Sequence, residues 1–227
     1  MVQSLISLLV LLPVQEKPTE LQKAAKVAQE LKSYSFQITL RRREETTRYS
    51  GVYVNEGDRL YLASDKARLA RKNGDWWIAE GKDEWKSVAS GRDDSGDRRG
   101  GARARAPNDP HDLALKLADL VTHLKKERSD KIGSATVDVY GNNLPEEQAK
   151  KAMEANGRGI ASMWADFAPR ETGLLFHIGR ADGLLYRIEQ VFVAGATRSE
   201  KDDVKIVLDF GDFNRARLPK DVEELTR

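Results

Sequence analysis

Two long alternating patterns dominate residues 183–213. Leu184, Tyr186, Ile188 and Phe192 fall on even positions with Arg187 and Glu189 between them, and Val204, Ile206, Leu208 and Phe210 repeat the pattern around Lys205 and Asp209. A period of two places one row of side chains on each face of a pleated strand, so each segment has an apolar face and a polar one. The polar connection at 194–203 lets the second strand fold back on the first, which predicts a large one-sided antiparallel sheet.

The same pattern returns earlier in the chain. Residues 34–40 alternate, with Tyr34, Phe36, Ile38 and Leu40 on one side and Ser35, Gln37 and Thr39 on the other. After a charged turn at 41–47, further strands are expected at 48–55, 59–63 and 84–88. The Asn73-Gly74 pair predicts a tight type I′ hairpin over 67–79. Later strands are expected at 135–139, 160–167 and 173–178, the last two joined by a turn at 168–172.

Helices punctuate this order. Thr19 and Gln22 fit a capping box before Leu21, Ala24, Ala25, Ala28 and Leu31. Asp109-Pro110 opens a second helix with a stripe of Leu113, Leu117, Leu120, Val121 and Leu124. Asn143 and Pro145 open a third, with Ala149, Ala152 and Met153 inward and Gly157 at its stop. Residues 218–225 end the chain as a strand or a short helix. Two meanders with helices between them, and about ten strands, exceed what a flat open sheet carries. The fold class is therefore α+β: a strongly curved antiparallel sheet, an unclosed β-barrel, with the N-terminal helix and two mid-chain helices on its concave face.

Length and composition set further bounds. The chain has 227 residues, and 38 Lys and Arg balance 36 Asp and Glu to a net charge of +2. No global field draws it to nucleic acid. The apolar run at the start matches a signal-peptide core, too short to span a bilayer as a helix. Residues 1–15 are read as a signal peptide and 16–227 as one domain, with a flexible loop at 90–109. With no cysteine there is no disulfide, thiolate metal site or lipid-attachment point.

The capped helix before SYSFQITL, the pattern from Gly51 to Ala63, the ARLARKNGDWWIAE hairpin, the Pro-His opening of the mid-chain helix and the two long closing strands resemble the bacterial outer-membrane lipoprotein carrier superfamily, with its periplasmic lipid-binding and envelope-stress relatives. The resemblance covers residues 19–225. It implies an exported, periplasmic protein whose capped sheet holds the acyl chain of a lipid or lipoprotein.

The candidate cavity residues are Phe36, Ile38, Trp76, Trp85, Trp164, Phe176, Ile188 and Phe192, which could equally fill a solid core. His111 and His123 lie twelve residues apart, about 18 Å along a helix, and cannot share a metal there. His177 could pair with Asp166 or Glu189 across strands. The Arg98 to Arg105 tract, offset by Asp93, Asp94 and Asp97, is read as a solvated loop or as a contact for a lipid head group or an envelope partner. No hydrolase or phosphate-binding signature is present, so the expectation is a monomeric, non-enzymatic carrier with no cofactor or metal. The alternatives are an envelope interaction or stress-sensing module on the same fold and, behind it, an enzyme.

Overall fold

The computed structural model describes residues 19–88, 110–121, 123–156, 167–195 and 203–226. Within them the chain forms eleven strands and four helices. These are α1 (Glu20–Gln29), β1 (Ser33–Arg42), β2 (Glu45–Val54), β3 (Arg59–Ala63), β4 (Ala67–Lys72), β5 (Asp75–Glu80), β6 (Lys86–Val88), α2 (Pro110–Leu120), β7 (Lys125–Ile132), β8 (Ala135–Pro145), α3 (Glu146–Ala155), β9 (Pro169–Gly179), β10 (Leu185–Ala194), β11 (Val204–Gly211) and α4 (Lys220–Leu225). The leader, the 90–109 loop with its arginines, Trp164 and Asp166 lie outside the described residues.

All eleven strands join one antiparallel sheet in the order β6-β5-β4-β3-β2-β1-β11-β10-β9-β8-β7. Two meanders thus meet where β1 pairs with β11, and the free edges, β6 and β7, stay apart, so the curved sheet does not close. Register shifts lie between β9 and β10 and between β7 and β8. Such bulges bend a strand and increase its twist.

Alternation sorts the residues as the sequence predicts for most strands. Along β1, Tyr34, Phe36, Ile38 and Leu40 are buried while Gln37 and Arg41 are exposed. Leu21, Ala24 and Ala28 of α1, Leu113, Ala114, Leu117 and Ala118 of α2, and Ala152 and Met153 of α3 pack into the same core. Helices α1, α2 and α3 therefore lie on one face of the sheet. α1 rests on β9 and β10, α3 on β8 and β9, and α2 chiefly on the other two helices. The capping box of α1 is present: the Thr19 amide donates to Gln22 Oε1 at 2.8 Å, and the Gln22 amide donates to Thr19 Oγ1 at 3.2 Å.

The opposite face carries a smaller cluster. Here α4 docks Val222 beside Ala70 and Leu218, with Val52, Val54, Tyr61, Trp77 and Trp85 around them. The end of the chain is thus a short helix. It is reached through a pinned tail, in which Asn214 Oδ1 accepts from the Lys32 amide and the Asn214 amide donates to Ser33 O, both at 2.7 Å.

Several boundaries differ from the sequence reading. Strand β7, KKERSDKI, is exposed over nearly its whole length and has no apolar face to announce it; it is an edge strand held by backbone pairing to β8. Charge along an exposed edge also discourages pairing with another chain. The charged turn at 41–47 shrinks to Arg43-Glu44, with Arg43 at φ +55°, because β1 and β2 pair as far as Arg42 and Glu45. Asn143 does not cap α3. It lies in β8 opposite Gly173, and the helix starts at Glu146 behind Pro145. Residues 169–172 are not a turn but the start of β9, paired with the far end of β8. Of the expected strand at 160–167 only Phe167 is described; it is buried and not in a strand.

Candidate hydrophobic ligand site

The helix-covered face is built from rows that run across the strands. In the central row Tyr140 stands opposite Phe176, Phe176 opposite Ile188, Ile188 opposite Leu208, Leu208 opposite Ile38 and Ile38 opposite Tyr49. Six apolar or aromatic side chains from six strands thus form one band. Beside it Phe36 pairs with Phe210 on one flank and Gly51 on the other, and the row continues through Leu62, Leu69 and Ile78. Phe192 lies further along β10, between Thr172 and Val204.

Of the eight residues singled out from the sequence, five meet here: Phe36, Ile38, Phe176, Ile188 and Phe192 are all buried in the main core. Trp76 joins them from β5 at the far wing, and it is only partly buried, as are Tyr49 and Leu69. Burial raises the pKa of the Tyr49 phenol, with a further rise from Asp65. Trp85 does not belong to this face. It packs in the smaller cluster on the other side, where its indole donates to Asp221 Oδ2 at 3.1 Å and the Arg68 guanidinium stands 5.0 Å from its ring centre. The separation has a local cause: Trp85 precedes the short strand β6, where no alternation reports the facing of a side chain.

A second departure comes from parity. Leu184 and Tyr186 share a period with Ile188 in the sequence, but the bulge between Leu185 and Arg187 resets the alternation. Leu185 is buried in the core and Leu184 packs against it partly buried, while Tyr186 lies edge-on to Phe213, its hydroxyl donating to Asp182 at 2.8 Å. Burial and then that hydrogen bond push the Tyr186 phenol up to about 12.

The core also holds a polar pair that the sequence reading missed. Gln190 and Asn156 exchange side-chain hydrogen bonds at 2.9 and 3.1 Å, and Asn156 donates as well to Ala152 O at 2.8 Å. Both are nearly inaccessible to solvent. Gln190 occupies the inward slot between Ile188 and Phe192, and that polar residue in an apolar series was the available signal. The pair ties the C-terminal end of α3 to the middle of the sheet.

His177 points away from this face. It alternates with Phe176 and Ile178 and is almost fully buried on the other side, its Nε2 3.2 Å from Glu189 Oε1 without the alignment of a hydrogen bond. Glu189 is in turn held by Lys205 at 2.9 Å, and Arg187 binds Asp209 at 2.5 Å. Burial lowers the pKa of His177, which keeps the imidazole neutral near pH 7. Burial pushes the Glu189 carboxylate up, but the hydrogen bond and charge of Lys205, together with the charges of His177 and Arg187, leave the group below its ordinary value. The arrangement is an ion network on the face opposite the three packed helices. Among the described residues no group of three His, Asp or Glu side chains converges on a metal position, and no helix is long and apolar enough to cross a membrane.

Comparison with known proteins identifies the fold. No family model matches the chain, and no curated protein matches its sequence. Among solved structures the chain is similar to the lipoprotein LppX of Mycobacterium tuberculosis, with 11% identity, 88% of this chain and 95% of that one covered, and a TM-score of 0.50. It is also similar to LprF of Mycobacterium bovis, with 10% identity, coverage of 89% and 95%, and a TM-score of 0.54. A looser likeness, TM-score 0.31 at 12% identity, relates 92% of the chain to 96% of a LolA superfamily protein from Nitrosomonas europaea. The fold is like that of LppX and LprF, in keeping with the resemblance in sequence order.

Proposed function

We propose that this protein is an exported, non-enzymatic carrier that holds an acyl chain of a lipid or lipoprotein between its curved sheet and its helices. The observation that carries the reading is the uneven cover of the apolar face. α1 and α3 rest on β8, β9 and β10, while the wing formed by β2 to β5 offers Tyr49, Leu69 and Trp76 only partly buried. The central band runs without a break from the covered half to that wing, so a hydrocarbon tail entering at the wing would meet apolar neighbours along its length. Each methylene so buried contributes about 0.8 kcal/mol, which lets a long chain bind without specific polar contacts. α2, held mainly by other helices, is the element best placed to shift as the space fills. The likeness in fold to LppX supports the architecture this reading needs, a curved sheet with helices over one face.

The test is native purification followed by mass spectrometry of the extract, then reloading of delipidated protein with a fluorescent fatty acid. The expected result is a copurified acyl lipid and saturable reloading. Protein that is empty as isolated and also ignores added lipid would end the carrier reading.

A further inference from the structure

Where the C-terminal end of α1 meets the first turn of α2, the sheet stands back and leaves a pocket of about 410 Å3. That is within the range of small-molecule sites, but this one is polar. Gln29 lines it from α1, Tyr53 and Asn55 from the end of β2 and just beyond, Asp58 from the following turn, Arg71 from β4 and Asp112 from α2.

The charges in the pocket do not cancel. Arg71 donates from Nη2 to Asp58 Oδ1 at 2.7 Å and stacks its guanidinium 5.6 Å from the Trp76 ring centre, so its positive charge is matched from within. The Tyr53 hydroxyl adds a longer contact to the same Asp58 oxygen at 3.4 Å. Asp112 is a second carboxylate, exposed toward the pocket mouth, and it forms no ion pair among the described residues. One arginine against two aspartates leaves the described lining at −1. Asn55 directs its amide N–H toward Gln29 O at 3.4 Å, which leaves its Oδ1 as an acceptor. Among the described residues of the lining, an anion would therefore meet an extra carboxylate and no uncommitted cation.

We propose that this pocket binds a primary organic ammonium, with Asp112 as the counter-charge and the Asn55 carbonyl as a further acceptor. An ammonium carries three donors and no acceptor, which complements such a lining. The amine could be a free solute or the head of an aminolipid. The site does not depend on the acyl-chain reading, because a water-soluble amine tests it alone.

The experiment is calorimetric titration of the full chain with ethanolamine, and with inorganic phosphate as the opposite charge. Ethanolamine should give saturable heat, phosphate none, and Asp112→Asn should weaken the amine by about tenfold, the scale of one charge-assisted hydrogen bond. Asp58→Asn, which removes the carboxylate beside Arg71, should weaken the amine and admit phosphate; thermal melts of both variants establish that they fold. Flotation with phosphatidylcholine vesicles, with and without phosphatidylethanolamine, separates the sources. Capture only when the aminolipid is present identifies a head group, and binding of ethanolamine with no vesicle preference identifies a solute; either supports the site. No heat with ethanolamine, a preference of the unaltered protein for phosphate, or an Asp112→Asn variant that binds like the parent overturns it.

Discussion

Phe36 lies directly across Gly51: a Cβ added at position 51 would stand 2.2 Å from Phe36 Cζ and 2.6 Å from the carbonyl oxygen of Tyr61. The two residues are also paired in register between β1 and β2. Glycine is required here because the phenyl ring occupies the space a side chain would fill, and the backbone oxygen beneath cannot rotate aside. Gly51→Ala should lower unfolding stability by about 1–3 kcal/mol, the usual cost of overpacking. Urea denaturation measures it. A Phe36→Leu change in the same chain should recover part of the loss, and additive losses would mean that the ring is not the obstacle.

The Asn156–Gln190 pair gives a prediction with the opposite logic. Replacing Gln190 by Leu leaves the Asn156 amide with unmet groups in an apolar surrounding, which costs about 1–3 kcal/mol. Replacing both with Leu removes the unmet groups and should return the stability toward the parent value. A double-mutant cycle by denaturant titration reads the coupling directly. Independent effects of the two substitutions would show that the pair does not anchor α3 to the sheet.

The contrast between these sites explains what could be read before the structure was known. Tyr34, Phe36, Ile38 and Leu40 announced their facing because a strand with one wet side must alternate, and the Asn73-Gly74 turn announced itself because those two residue types tolerate the positive φ angles, +49° and +88°, that it adopts. β7 could not be read, because a strand exposed on both faces carries no pattern at all. Tyr186 was misplaced by a bulge, a one-residue event that leaves no mark in composition. Trp85 looked like Trp76 in type and neighbourhood, but three residues of β6 are too few to fix a face. The pocket between α1, α2 and β4 gathers Gln29, Asp58 and Asp112 from distant segments, so only the packing of helices on the sheet brings them together.

The outer-face network makes stability depend on pH in a defined direction. Burial lowers the pKa of His177 in the folded chain, so the unfolded chain takes up a proton more readily. This contribution is complete above the ordinary histidine value and is lost as pH falls through that value toward the folded one. Glu189 is opposed by burial but held low by Lys205, so its contribution is lost only at more acidic pH. Arg187, Arg128 and Lys205 around the site add positive charge that disfavours a second cation. Melting temperatures should therefore drop between pH 7 and pH 5, and His177→Gln should flatten that slope. An unchanged slope in the variant would place the acid sensitivity elsewhere.

The two indoles of the β5–β6 hairpin should separate ligand binding from stability. Trp76 sits partly buried at the end of the apolar face, beside Arg71, whereas Trp85 clamps α4 on the other side through Asp221 and Arg68. If the acyl chain enters over the wing, Trp76→Ala removes part of its wall, and a fluorescent fatty acid should bind about tenfold more weakly, equivalent to about 1.4 kcal/mol. Trp85→Ala should leave that affinity within twofold and instead cost about 1–3 kcal/mol in unfolding stability, as α4 loses a ring and a hydrogen bond. Parallel ligand titrations and urea melts on the two variants compare these outcomes. Equal loss of affinity in both would mean that the tail does not travel along the β5 wing. Loss in Trp85→Ala alone would move the binding face to the side of the sheet that carries α4.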